Sequence, residues 1–206
     1  MVRGLIILTA GIFLAAPSLA APLAVKVVDA AGKPVRDAVV TLYPTNGAQR
    51  SLSPGRFTVA QKNLKFQPFL SVVPVGSSIS FPNFDSTKHH VYSFSPAKRF
   101  ELKLFAKDQS RTVEFDKPGV IALGCNIHDA MTAFIVVTDS RWTQRTNAQG
   151  LAMFADAPNS AGRVTVWHPY LRAPGGQVQQ TLAAAQRGVG FAIKLRPPPA
   201  MTMSGY

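Results

Sequence analysis

From residue 23 onward the chain is written in short apolar runs with a period of two. Val25 and Val27 alternate with Lys26, and Ala38, Val40 and Leu42 alternate with Val39, Thr41 and Tyr43. Residues 23–43 therefore predict strand, turn and strand around Gly32-Lys33-Pro34. A small, polar stretch over 45–55 ends in Pro54-Gly55 and reads as a linker. Extended segments follow at 57–60, 69–73 and 77–81, broken by Pro68, by Pro74 and Gly76, and by Pro82-Asn83. Residues 98–104 place Phe100, Leu102 and Leu104 opposite Glu101 and Lys103, which predicts a strand with one wet face, and 105–111 read as a loop. Val113-Glu114-Phe115 and the tight turn Asp116-Lys117-Pro118-Gly119 lead into two unbroken apolar runs, 120–123 and 134–137. Further strands are predicted within 146–154, at 164–167 and at 191–195. No amphipathic helix of more than about two turns emerges, so the pattern predicts an all-β fold of sandwich or barrel type.

The opening residues do not share this pattern. Arg3, an apolar run over 5–15 and the small-x-small triplet Ser18-Leu19-Ala20 have the form of an export signal, with cleavage expected after Ala20. The apolar run is too short to span a bilayer. A soluble periplasmic protein without stable membrane insertion is expected. Export also bears on the single cysteine among the 206 residues, because a lone thiol in an oxidising compartment cannot close an internal disulfide. It must bind a metal, join another chain or stand open to oxidation.

Charge narrows the partners. The chain has 22 Lys and Arg against 10 Asp and Glu, a net of +12; loss of Arg3 with the signal leaves 21 against 10, or +11. Such a charge favours acidic partners. Nucleic acid is excluded as a partner by export and by the absence of basic runs interleaved with stacking aromatics.

The chemistry gathers in Gly124-Cys125-Asn126-Ile127-His128-Asp129-Ala130-Met131, where a thiol, an imidazole and a thioether share one loop between the runs 120–123 and 134–137. Joined by one more imidazole, these donors form the trigonal His2Cys set with a weak axial Met that selects copper and carries single electrons. The upstream imidazole is available at His89-His90. Successive residues of an extended chain point to opposite faces, so only one of the two can bind.

Phe66-Gln67-Pro68 and Val75-Gly76, then Asn83-x-Asp85, His89-x-Val91 and Cys125-x-x-His128-x-x-Met131, resemble the cupredoxin family over residues 56–138. The short gap from His128 to Met131 is similar to the amicyanin loop. Residues 88–104 with 124–131 resemble the plastocyanin-like proteins labelled methylamine utilization protein. The resemblance implies a Greek-key β-sandwich with one type 1 copper held by His89, Cys125, His128 and Met131. Two positions depart from the family pattern: His90 stands where Asn is common, and Ile127 where Pro is common. Residues 23–43 and the strands after Ser140 resemble a carboxypeptidase-regulatory or transthyretin-like sandwich. The implied organisation is a signal at 1–20, a cupredoxin domain at 56–138 inserted into a second, Ig/transthyretin-like sandwich formed by 21–50 and 141–197, and a disordered tail at 198–206.

The function expected from these features is electron transport, with an acidic redox protein such as a c-type cytochrome or a dehydrogenase as partner. A copper carrier or storage protein uses the same ligands, and a metal-free structural module is the third reading. Catalysis is not expected, because Cys125 and His128 share one tight loop that leaves no independent base. Phe84, Ala130 and Pro96 are expected as apolar surface near the metal. Asp85 and Asp129 read as turn residues. His168 reads as a strand-end residue held by packing, Met153 as a gap-filler in the core, and Met201 and Met203 as tail residues.

Overall fold

The computed structural model describes residues 22–46 and 52–198. The expected export signal, part of the 45–55 linker and nearly all of the expected tail lie outside the described residues. The described chain is all-β apart from a single 3-10 turn at Pro174–Gly176. Among the described residues no helix is long and apolar enough to cross a membrane.

Two of the sheets draw on both ends of the chain. Strands β1 (Leu23–Asp29), β14 (Leu151–Phe154) and β17 (Gly188–Ile193) form one in the order β14-β1-β17. Strands β2 (Val39–Pro44), β13 (Thr143–Arg145), β15 (Gly162–Trp167) and β16 (Gln177–Leu182) form another in the order β13-β2-β15-β16. Alternation along β1 sends Leu23, Val25 and Val27 into a core with Val40, Leu42, Val164, Val166, Phe191 and Ile193. The strands β1 and β2 lie in different sheets, so the Gly32 turn between them crosses from one sheet to the other.

The middle of the chain builds a second pair of sheets around its own core. One has the order β10-β7-β3, from β3 (Arg56–Thr58), β7 (Ser77–Pro82) and β10 (Ser110–Phe115). The other is five-stranded, β6-β12-β11-β8-β9, from β6 (Leu70–Pro74), β8 (His89–Ser95), β9 (Lys98–Phe105), β11 (Gly119–Cys125) and β12 (Thr132–Thr138). Ile79, Phe81 and Phe115 from the first face Val91, Ile121, Leu123 and Ile135 from the second. A two-residue-by-two-residue hairpin of β4 (Ala60–Gln61) and β5 (Phe66–Gln67) closes one end.

The unbroken apolar runs have a physical cause. Ala133, Ile135 and Val137 of β12 enter the middle core, while Val136 and the half-buried Phe134 face outward into a small cluster with Val39, Leu70 and Trp167. A strand covered on both faces loses its polar alternation. That cluster joins the two halves of the molecule, with Phe134 packed between Phe69 and Trp167 at ring-centroid distances of 5.6 and 5.5 Å.

Four sequence expectations are corrected. Met153, expected as a gap-filler in the core, is 44% exposed on β14. Leu104 does not face the core: it is 52% exposed, and Phe105 is buried in its place. The register between β8 and β9 shifts between His89 and Val91, which pair with Phe105 and Leu102, so an extra residue on β9 inverts the facing. The loop expected over 105–111 ends earlier, because β10 begins at Ser110. Strand β16 was not expected at all; it pairs on one side only, and its Gln-rich residues are mostly exposed, so no apolar period marks it.

Gly150 is held in left-handed backbone, φ +69, where an added Cβ would stand 2.3 Å from the Val27 carbonyl oxygen. Gly175 has a similar φ of +66 with nothing within 4 Å. Urea unfolding is expected to show a loss of more than about 1 kcal/mol for Gly150→Ala. The loss for Gly175→Ala should be clearly smaller; equal losses would show that backbone crowding at Gly150 is unimportant.

Candidate metal centre

Strand parity delivers the first imidazole. Along β8 the side chains of His89, Val91 and Ser93 are buried, whereas His90, Tyr92 and Phe94 leave by the other face. Antiparallel pairing then sets Cys125, the last residue of β11, opposite Val91, so its thiol enters the same core. Gly124 precedes it for a steric reason: the Tyr92 ring lies across this position, and an added Cβ would be 2.6 Å from the ring. The chain then turns, with the Asn126 amide donating to the His90 carbonyl and the Met131 amide to the His128 carbonyl.

His89, Cys125 and His128 come together at the turn, with one donor atom from each within 4.8 Å of the others. Cys125 Sγ lies 3.7 Å from His89 Nδ1. The His89 and His128 rings are 5.3 Å apart between centroids and tilted by 59°. His89 and Cys125 are buried, and His128 is half-buried. Met131 is buried in the same hydrophobic cluster as Cys125. His90 is elsewhere: its Nε2 lies 2.8 Å from Glu101 Oε1 on the outer face, close enough for an ion pair but without hydrogen-bond alignment.

Asp85 belongs to this site, which its reading as a turn residue missed. Its Oδ2 is 2.9 Å from His89 Nε2, and it accepts the main-chain amides of Asn63 and Leu64. Burial alone pushes the Asp85 carboxyl up, but the hydrogen bonds from His89, Leu64 and Asn63 outweigh it and hold the group below its ordinary value. The sequence signal was the spacing of four from Asp85 to His89, which carries weight only once the intervening turn is known.

The cluster suits a soft cation by its donors: one sulfur and two imidazoles in a mostly buried pocket are the set that binds copper or zinc. His128 also leaves a buried Nδ1 without any hydrogen-bond partner. Such an orphan costs about 1–3 kcal/mol, a penalty that a bound cation can relieve at an imidazole nitrogen. Of the apolar surface expected nearby, Phe84 and Ala130 are exposed in the loops that carry the cluster. Pro96 is not near: it follows the far end of β8, about 20 Å of extended chain from His89. Ile127, 47% exposed between Cys125 and His128, occupies the position that had been assigned only as a departure from the family pattern.

What stands here is an all-β protein with a His-Cys-His cluster at one end of a two-sheet core. No family model matches the chain, and no curated protein matches it. Solved structures do resemble it. A copper-containing nitrite reductase from Thermus scotoductus SA-01 is 24% identical, over 46% of this chain and 25% of that one, with a TM-score of 0.39. The chain thus spans about a quarter of that protein's length. A purple cupredoxin from Nitrosopumilus maritimus is 18% identical, over 39% of this chain and 98% of that one, with a TM-score of 0.36. A reduced single-site variant of amicyanin is 20% identical, over 48% and 98% of the two chains, with a TM-score of 0.38.

His168, the remaining histidine, follows β15 and accepts the Tyr170 amide at Nδ1. Burial holds it below its ordinary 6.5, against a hydrogen bond with the Arg36 backbone and the charge of Asp37, which raise it. A depressed value means that the unfolded chain takes up the proton first. The stabilisation is therefore complete above pH 6.5 and is lost as pH falls below it toward the folded value. Chemical unfolding followed from pH 7.5 to 5 should show this loss in the parent and a flatter profile in His168→Gln; parallel profiles would count against it.

Proposed function

We propose that the chain is an exported, type 1 copper protein that carries single electrons between redox partners. The observation that carries this reading is the convergence of His89, Cys125 and His128 within 4.8 Å, two of them buried. His89 is held by a strand, Cys125 by the end of a second strand and His128 by the turn that follows. Donors fixed in this way change position little when the charge of the bound ion changes, which is what rapid one-electron exchange requires. Copper bound there would supply the one-electron couple. Cys125 would give the thiolate, His89 and His128 the imidazoles, and Met131 the weak axial sulfur, one ion per chain.

The resemblance of residues 56–138 to cupredoxins supports this reading. In this reading 56–138 form the electron-transfer domain, and 21–50 with 141–197 form the second sandwich into which it is inserted. The location is the periplasm, and the partner is an acidic redox protein, matched to a chain of net charge +11 once Arg3 leaves with the signal. No bond-making reaction is assigned: the only thiol and its nearest imidazoles all point into one cluster, which leaves no separate base.

The visible and paramagnetic resonance spectra of the copper-loaded protein test it. An intense thiolate-to-copper band is expected, lost in Cys125→Ser and kept in His168→Ala, with reversible reduction. A colourless protein that binds Cu(I) and passes it to an acceptor would instead be a carrier or store. Failure to bind copper at all would leave a structural module.

A further inference from the structure

Asp85 is fixed from two sides. The amides of Asn63 and Leu64 donate to its Oδ1 and Oδ2 at 2.6 and 3.1 Å. Two consecutive amides can converge on one carboxylate because both residues hold left-handed backbone, φ 56 and 55. That conformation is sterically unfavourable for a residue such as Leu64, and it persists here in a turn closed by mutual main-chain bonds between Lys62 and Lys65. From the other side, Asn83 Oδ1 accepts the Asp85 amide at 2.9 Å, while Asn83 Nδ2 donates to the carbonyls of Thr87 and Phe105.

The carboxylate held in this way faces His89 Nε2 at 2.9 Å. An ionised carboxylate only accepts, so the proton of the neutral ring must sit on Nε2. The lone pair of Nδ1 is then turned toward Cys125 Sγ, 3.7 Å away. His89 is fully buried, so bulk water does not reach either nitrogen.

We propose that Asp85 is a positioning residue, clamped by the turn at Asn63 and Leu64, that fixes His89 in the tautomer and orientation needed for a soft cation and biases the site toward the more oxidised ion. The first half stands on the hydrogen-bond geometry alone; the second rests on the copper reading above. A ligand imidazole whose other nitrogen bonds a carboxylate is more basic, and the fixed negative charge favours the higher positive charge of Cu(II) over Cu(I).

The two halves are tested separately. In metal-free protein labelled with nitrogen-15, the His89 ring should show a hydrogen-bonded Nε2 proton that exchanges slowly, and Asp85→Ala should lose it. A wild-type ring protonated at Nδ1, or a slow Nε2 proton that survives in the variant, overturns the proposal; the wild-type spectrum decides even if the variant does not fold. In copper-loaded protein, Asp85→Asn should weaken Cu(II) binding about 10–100-fold. Cu(I) binding should weaken less, so that the reduction potential rises by about 59 mV for each tenfold change in their ratio. Glu101→Gln removes the same charge from the outer face beside His90 and should leave both affinities within about twofold on the weak-coupling expectation for exposed charges. Equal shifts in the two variants overturn the second half. Absence of any copper binding refutes the electron-carrier reading, while the ring spectrum still decides the role of Asp85.

Discussion

Every contact at the cluster depends on the parity of β8 and on its register with β11. Side chains alternate along a strand, so a slip of one residue would expose His89, bury His90 beside Cys125 and detach Asp85 from any imidazole. Two devices hold the register. Buried Val91 and Ser93 would have to trade places with Tyr92 and Phe94, and the Tyr92 ring fits only over a glycine, Gly124, directly across the pair. The β9 bulge does the complementary work: it lets Phe105 turn inward opposite His89 after Leu102 has already turned inward opposite Val91. The end of the sandwich is closed by Phe105 for the same reason that the imidazole is kept dry.

Local chemistry was more legible than long-range packing. The strands around Val25 and Val40 could be read because they alternate, that around Ile79 because Gly and Pro bound it, and that around Ile135 because its apolar run is unbroken. The joint spacing of Cys125, His128 and Met131 marked one loop as chemical, and the doublet His89-His90 followed from the need for a further donor. Other features could not be read so directly. Leu104 was expected inside because period two has no term for a bulge. β16 was invisible because an edge strand needs no apolar face. Asp85 passed for a turn residue because its partners, the amides of Asn63 and Leu64, sit about twenty residues upstream in a turn whose backbone the sequence does not announce.

The pair of sheets built from both ends of the chain bears on the site only indirectly. Its contact with the middle core runs through Phe134 and Val136, on the strand that continues from the Met131 end of the turn 126–131, packed against Val39 and Trp167. Burial on both faces anchors β12, and a fixed β12 fixes where the turn 126–131 must end. Arg145 adds a polar tie by donating to the Leu70 carbonyl across the same junction. The site is thus supported by packing at one end of the turn and by the register of β11 at the other.

The central claim is that one sulfur and two imidazoles, drawn from β8 and a single turn, close on the same ion. X-ray absorption at the copper edge of the loaded protein reads that directly. A first shell of one sulfur with two imidazole nitrogens, at full occupancy with one copper per chain, is the predicted result. A shell of nitrogen and oxygen alone, with Cys125 still free to react with a thiol reagent, would contradict it.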